Sequence, residues 1–454
     1  MTRKNRDEKT RSLGQQMRDA RYATLDSRAA SGPANQLVDR LADEIANWEI
    51  RYGRRRRGRR SGAAKLRAAV TGLFGDLLLA RKSSEKANGW VYRSMQAQGF
   101  TGKRVSYRTF SSIVDALKDL DLMEHKPPVN FWAGGFDNGK QSVHRRFAAR
   151  LRANGKLLKL CREYGITDTN VEDHFIEGLP EDPLVLKATS RRANGRKERG
   201  RPIKFARTTN TETLKHHVLR LNSFLDEHVI RGGTHRGFIR VFNNGDHPDF
   251  EWNKGGRLYS PGEDSYQQLP RETRLRMTIN GRPVCEIDVR ASYLTILHAL
   301  HDVPFEVSHQ HDPYDIPGVS RFAVKSYVAV FFGNKKLPKR WPEEIRDEYA
   351  EENDGRDLSK DFPIKKVGAK VIEKIPLLSR WNDLQETWAD LMWLESEAVI
   401  ATLLELMENN VPCLPVHDSL LVSVSEREMA SKVLSHHYRK ICGVTPVLKL
   451  HQPT

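Results

Sequence analysis

At 454 residues the chain has room for two or three domains, and 38% hydrophobic residues suffice to bury a core in each. Lys and Arg total 75 against 58 Asp and Glu, a formal net charge of +17. The resulting field attracts polyanions and makes nucleic acid the leading expected partner, a generally basic soluble protein being the plain alternative. Cys161, Cys285, Cys413 and Cys442 are too few and too scattered for a disulfide framework or a CxxC zinc site. No apolar run reaches the ~18 residues of a membrane span, and the Arg-rich start lacks a signal-peptide core, so a cytoplasmic protein with no membrane partner is expected.

In chain order, residues 1–62 read as a flexible basic segment in which Arg51 to Arg60 forms a glycine-interrupted phosphate-binding strap or a solvated linker. Residues 63–185 read as a helical module. Within it Ser106 caps a helix with Phe110, Ile113, Val114, Leu117 and Leu120 at helical spacing, followed by a strand and turn from Leu122 to Pro128. That order suits a winged helix, with Tyr107, Arg108 and Ser111 in the first turns of a recognition helix, although an amphipathic helix before a hairpin gives the same pattern. Residues 186–205, basic and glycine-containing, read as the linker to a core over 206–454. A helix is expected around Thr213 to His228.

In the core, Pro283 to Asp288 reads as a strand running into a helix from Tyr293 to His301. Val411 to Val424 reads as a hairpin presenting Asp418 at its tip. Two carboxylates at the ends of buried strands are what a two-metal phosphoryl-transfer site needs, although either Asp alone is more simply a turn residue. Between them, Arg321 and Lys325 lie four apart on a predicted helix, where both cations can clamp a triphosphate.

Four segments in register resemble the palm of the DNA polymerase I family and its single-subunit phage-type RNA polymerase relatives. They are Gly256-Arg257-Leu258-Tyr259-Ser260 with Tyr266-Gln267-Gln268-Leu269-Pro270-Arg271; Asp288-Val289-Arg290-Ala291-Ser292-Tyr293; Arg321 to Gly333; and Val416-His417-Asp418-Ser419. The resemblance covers about residues 250–454. It implies an α+β fold, a right-hand polymerase core with palm, reduced fingers over about 302–375 and helical thumb, behind a helical or winged-helix N-terminal module. It also implies a nucleotidyltransferase using two Mg²⁺ ions, with Mn²⁺ as an option, to add nucleoside triphosphates to a DNA primer-template.

By that resemblance Asp288 and Asp418 are catalytic and bind metal. Arg321, Lys325, Tyr293 and Phe332 bind the nucleotide, and Arg257, Gln267, Gln268 and His417 touch nucleic acid, His417 without acid–base duty. Ser419 matches the RNA polymerases, where the DNA enzymes usually carry Glu. The Lys325-to-aromatic spacing is one residue short, so Phe331 competes with Phe332. Tyr293 falls where a bulky side chain excludes a 2′-hydroxyl, which favours deoxynucleotides. An RNA polymerase or primase of the same fold, a nuclease, and a non-enzymatic DNA-binding replication initiator are the alternatives. The front module suggests replication of a plasmid or phage-like element. Glu395 and Glu397 read as solvated helix positions.

Overall fold

The computed structural model describes residues 19–54, 62–82, 89–101, 103–132, 144–193, 196–198, 200–334, 337–381 and 383–453. The chain is α+β, with several small sheets and, among the described residues, no barrel. Its buried apolar residues fall into two large clusters, one running from Ala23 to Phe175 and one from Leu184 to Cys442.

In the front cluster, helix α1 (Gly32–Arg51) starts at Ser31, whose side chain accepts from the Ala34 N–H. It buries Leu37, Val38, Leu41, Ile45 and Trp48 along one face, which corrects the flexible segment expected for this stretch. Apolar residues at helical spacing outweigh the basic run beside them. Of that run, residues 55–60 lie outside the described residues, while Arg54 pairs with Asp115 at 2.8 Å. Helix α2 (Ala63–Lys82) is apolar on nearly every side and lies at the centre of this core.

Strand β1 (Val91–Arg93) is followed by helix α3 (Tyr107–Asp119), capped by Ser106 as the sequence predicts. Strand β2 (Met123–Lys126), a hairpin of Val129–Trp132 with His144–Phe147, and strand β3 (Ala149–Ala153) come next. β3 pairs antiparallel with both β1 and β2.

The rear cluster opens with Leu184–Lys187, a strand inside a four-stranded sheet whose other members are Pro202–Ile203, β4 (Ile239–Phe242) and β5 (Gly255–Tyr259). The stretch expected as a linker is therefore part of this core. Leu186 is buried, and between the strands Arg191–Ala193 pairs antiparallel with Arg196–Glu198. The base of this excursion is tied down by Thr189, whose N–H and hydroxyl both donate to Asp246 Oδ1 at 2.6 Å. Glycines among arginines suit a hairpin as well as a linker. Helix α4 (Thr209–Asp226), where a helix around Thr213 to His228 is expected, packs on the later helix α8 (Trp388–Glu408).

A second sheet is centred on β6 (Arg282–Val289). One neighbour is β8 (Ser419–Ser423), which pairs in turn with β7 (Cys413–Val416); the other edge carries β9 (Leu448–His451) and Thr278–Ile279. All these pairs are antiparallel. Helix α5 (Ser292–Leu300) follows β6, and α8 packs against α5, β5 and α9 (Arg427–Cys442). Residues 302–375 hold α6 (Arg321–Phe332), Glu343–Glu352 and α7 (Ile364–Lys374), the last packed on α6.

Candidate active site

Strand alternation puts Glu286 and Asp288 on the same face of β6, two residues apart. In register, Asp288 lies opposite Ser419 of β8 and Lys449 of β9, and the Ser419 hydroxyl donates to Asp288 Oδ1 at 2.7 Å. On the other strand pair, Val416 and Ser419 close a two-residue turn made of His417 and Asp418. His417 adopts φ +60°, the left-handed region that a tight hairpin demands and that few side chains other than Asn, Asp and His tolerate. The turn sets Asp418 beside the strand that bears Asp288.

Both carboxylates line one cavity of about 1090 Å³. Arg257, Gln267, Tyr293, Arg321, Lys325, Phe332 and His417 line it too, so nine of the ten site residues chosen from the sequence share one space. Gln268 does not line it and is exposed. Phe331 is 1% exposed in the core and is absent from the lining, so of the two adjacent aromatics Phe332 is the one at the cavity.

The electrostatics are uneven. Asp418 has its carboxyl pushed up to about 8 by its recessed position and by the charges of Glu395 and Asp288, against the pull of Arg257. A divalent cation beside this carboxyl would favour its charged form and pull it back down. His417 is pushed down to about 4 by burial and by Arg257 and Arg274, which leaves the imidazole neutral at pH 7. On α6, Arg321 is exposed and its Nε donates to Asp312 at 2.8 Å, while exposed Lys325 has no carboxylate partner among the described residues.

No known family model matches this chain, and a search of curated proteins found no match either.

Several residues at the cavity were not chosen from the sequence. Glu395 is a correction: it is 1% exposed, not solvated, and its Oε1 accepts from Arg257 Nε at 2.8 Å and from Arg257 Nη2. A usable signal existed, because Leu391 and Ala398, four before and three after it on α8, are buried, placing a charge on an apolar stripe. Glu397 is also engaged, pairing with the buried Arg240.

Arg257 and Gln267, expected to face nucleic acid, are held internally. Gln267 Oε1 accepts from the Ser260 N–H at 2.9 Å, and its Nε2 donates to Leu258 O and to Pro415 O at 3.2 and 2.9 Å. These bonds brace β5 against the hairpin that carries Asp418.

Buried Glu286, also missed, accepts from Arg274 Nε and Nη2 at 2.9 Å each and from Arg271 Nε at 3.2 Å. Arg271 Nη2 also approaches Asp288 Oδ2 at 3.8 Å. Among the described residues no group of three or more His, Cys, Asp or Glu side chains is arranged to hold a metal ion.

Proposed function

We propose that the chain is a template-directed nucleotidyltransferase, and specifically a DNA polymerase that adds deoxynucleoside triphosphates to a primer 3′-hydroxyl. The observation that carries this reading is the convergence of Asp288 and Asp418, from strands far apart in sequence, on one cavity that also holds Arg321, Lys325, Tyr293 and Phe332. Asp288 and Asp418 suit Mg²⁺, or Mn²⁺, because magnesium is commonly held by one or two carboxylates with substrate phosphates and water completing its shell. Bound there, such ions would activate the primer hydroxyl and neutralise the departing pyrophosphate.

The remaining chemistry belongs to side chains. Arg321 and Lys325, one turn apart on α6, present cations to the triphosphate. Tyr293 excludes a 2′-hydroxyl, and Phe332 supports the base. The Glu286, Arg271 and Arg274 cluster holds β6 and keeps a cation beside Asp288. The front module, with α3 followed by β2, a hairpin and β3, suits a winged helix on DNA, with Arg108 exposed in the first turn of α3. Such a unit fits replication of a plasmid or phage-like element.

Primer extension with Mg²⁺ tests the reading. Wild type is expected to extend with dNTPs and poorly with NTPs. Asp288→Ala and Asp418→Ala should each lose about 10³-fold in rate, since a metal carboxylate supplies several kcal/mol of transition-state stabilisation. Synthesis from NTPs without a primer would favour an RNA polymerase or primase, and degradation of the DNA a nuclease. DNA binding without incorporation, unaffected by Asp418→Ala, would favour an initiator.

A further inference from the structure

We infer that Glu395 is a positioning residue that fixes the ring of Tyr293 from two directions, and with it the choice between deoxyribo- and ribonucleotides. The inference rests on the nucleotidyltransferase reading of the same cavity.

One direction runs through the side chain of Arg257. Both Nε and Nη2 of its guanidinium donate to Glu395 Oε1, and its Cζ lies 5.5 Å from the centroid of the Tyr293 ring. On the ring's own account, Phe332 meets it edge to face, with centroids 5.8 Å apart and planes at 86°. Tyr293 is therefore held between a cation and an aromatic edge, contacts that fix orientation as well as add energy.

The other direction runs through the backbone. Glu395 Oε2 accepts from the Ser292 hydroxyl at 2.6 Å, and that hydroxyl lies 3.0 Å from the hydroxyl of buried Tyr438. Ser292 is the first residue of α5 and the chain neighbour of Tyr293. One carboxylate thus joins β5, α5 and α8, with α9 at one remove. A buried ion pair contributes little net stability, because desolvation offsets the attraction. What Glu395 supplies is geometry, together with the neutralisation of an arginine that already lies within electrostatic reach of Asp418.

Glu395→Gln keeps the shape and removes the charge that holds Arg257. The ratio of kcat/KM for dATP to that for ATP in primer extension should fall about tenfold, mainly through a lower KM for ATP. Ser292→Ala, which cuts only the second direction, should move the same ratio less. In a double-mutant cycle, Glu395→Gln and Arg257→Gln should be non-additive, because one acts through the other. Titration calorimetry of dATP and ATP against wild type, Glu395→Gln, Ser292→Ala and Tyr293→Ala reads the same discrimination without turnover, with circular dichroism melting to confirm folding.

The inference is overturned if Tyr293→Ala loses discrimination while folded Glu395→Gln and Ser292→Ala keep it, or if the cycle is additive. A wild type that prefers dATP in calorimetry yet extends no primer would remove the polymerase reading and leave the inference standing, provided Glu395→Gln abolishes the preference. A wild type that binds neither nucleotide removes both.

Discussion

His235 shows what the ring of one side chain can reveal. Both of its ring nitrogens are buried without a partner among the described residues, and the ring lies 4.5 Å from that of Phe238 and 5.8 Å from that of Tyr266. Burial, with a smaller contribution from Arg236, pushes it down to about 3. The folded protein therefore keeps this imidazole neutral where the unfolded chain, titrating near 6.5, already takes up a proton. Its contribution to stability is fully present above pH 6.5 and is lost as pH falls from 6.5 towards 3. Below pH 6.5 wild type should lose about 1.4 kcal/mol per pH unit more than His235→Phe, as measured by urea unfolding from pH 7 to 4. Parallel pH profiles for the two proteins would show that the ring is solvated after all.

The turn from β6 to α5 makes its own demand on the chain. Ala291, between them, has φ 48° and ψ 42°, a left-handed conformation that costs a non-glycine residue about 1–2 kcal/mol. Ala291→Gly relieves that strain while adding unfolded-state entropy, so its stability should lie within about 1 kcal/mol of wild type. Ala291→Val puts a branched Cβ in the same conformation and should lose about 2 kcal/mol or more in chemical denaturation. Equal stability of the two variants would mean that the turn relaxes.

This strand, turn and helix, the hairpin at Asp418 and helix α6 were legible because each signal is local: alternation, a polar tip between apolar runs, helical spacing. The bond from Arg257 to Glu395 was not, because its partners lie 138 residues apart and no periodicity links them. Helix α1 was hidden by the arginines beside it. Gln267 looked like a groove reader because a buried glutamine and an exposed one have the same letter; only the fold shows that it serves Pro415 while Gln268 faces solvent.

Across the whole molecule, the loop of residues 261–265 meets the front half at a third, small apolar cluster of Ala20, Trp90 and Tyr92, and that loop is itself braced against the cavity. The Tyr92 hydroxyl of β1 accepts from the Glu263 N–H at 2.6 Å, with Tyr22 packed on the Tyr92 ring at 5.3 Å and the Arg150 guanidinium over it at 4.7 Å. A few residues on, the Tyr266 hydroxyl and Gln267 Nε2 both donate to Pro415 O, two residues before His417. The front module therefore leans on the same segment that steadies the Asp418 hairpin. Tyr92→Phe leaves the ring contacts in place and takes away the acceptor, stranding a backbone N–H at a cost of about 1–3 kcal/mol. Because that cost falls on the contact between the clusters and not inside either core, calorimetry should show the front module melting ahead of the rear one, where wild type melts in one transition. A variant that keeps one transition at the wild-type temperature would show that the two cores are joined through other contacts.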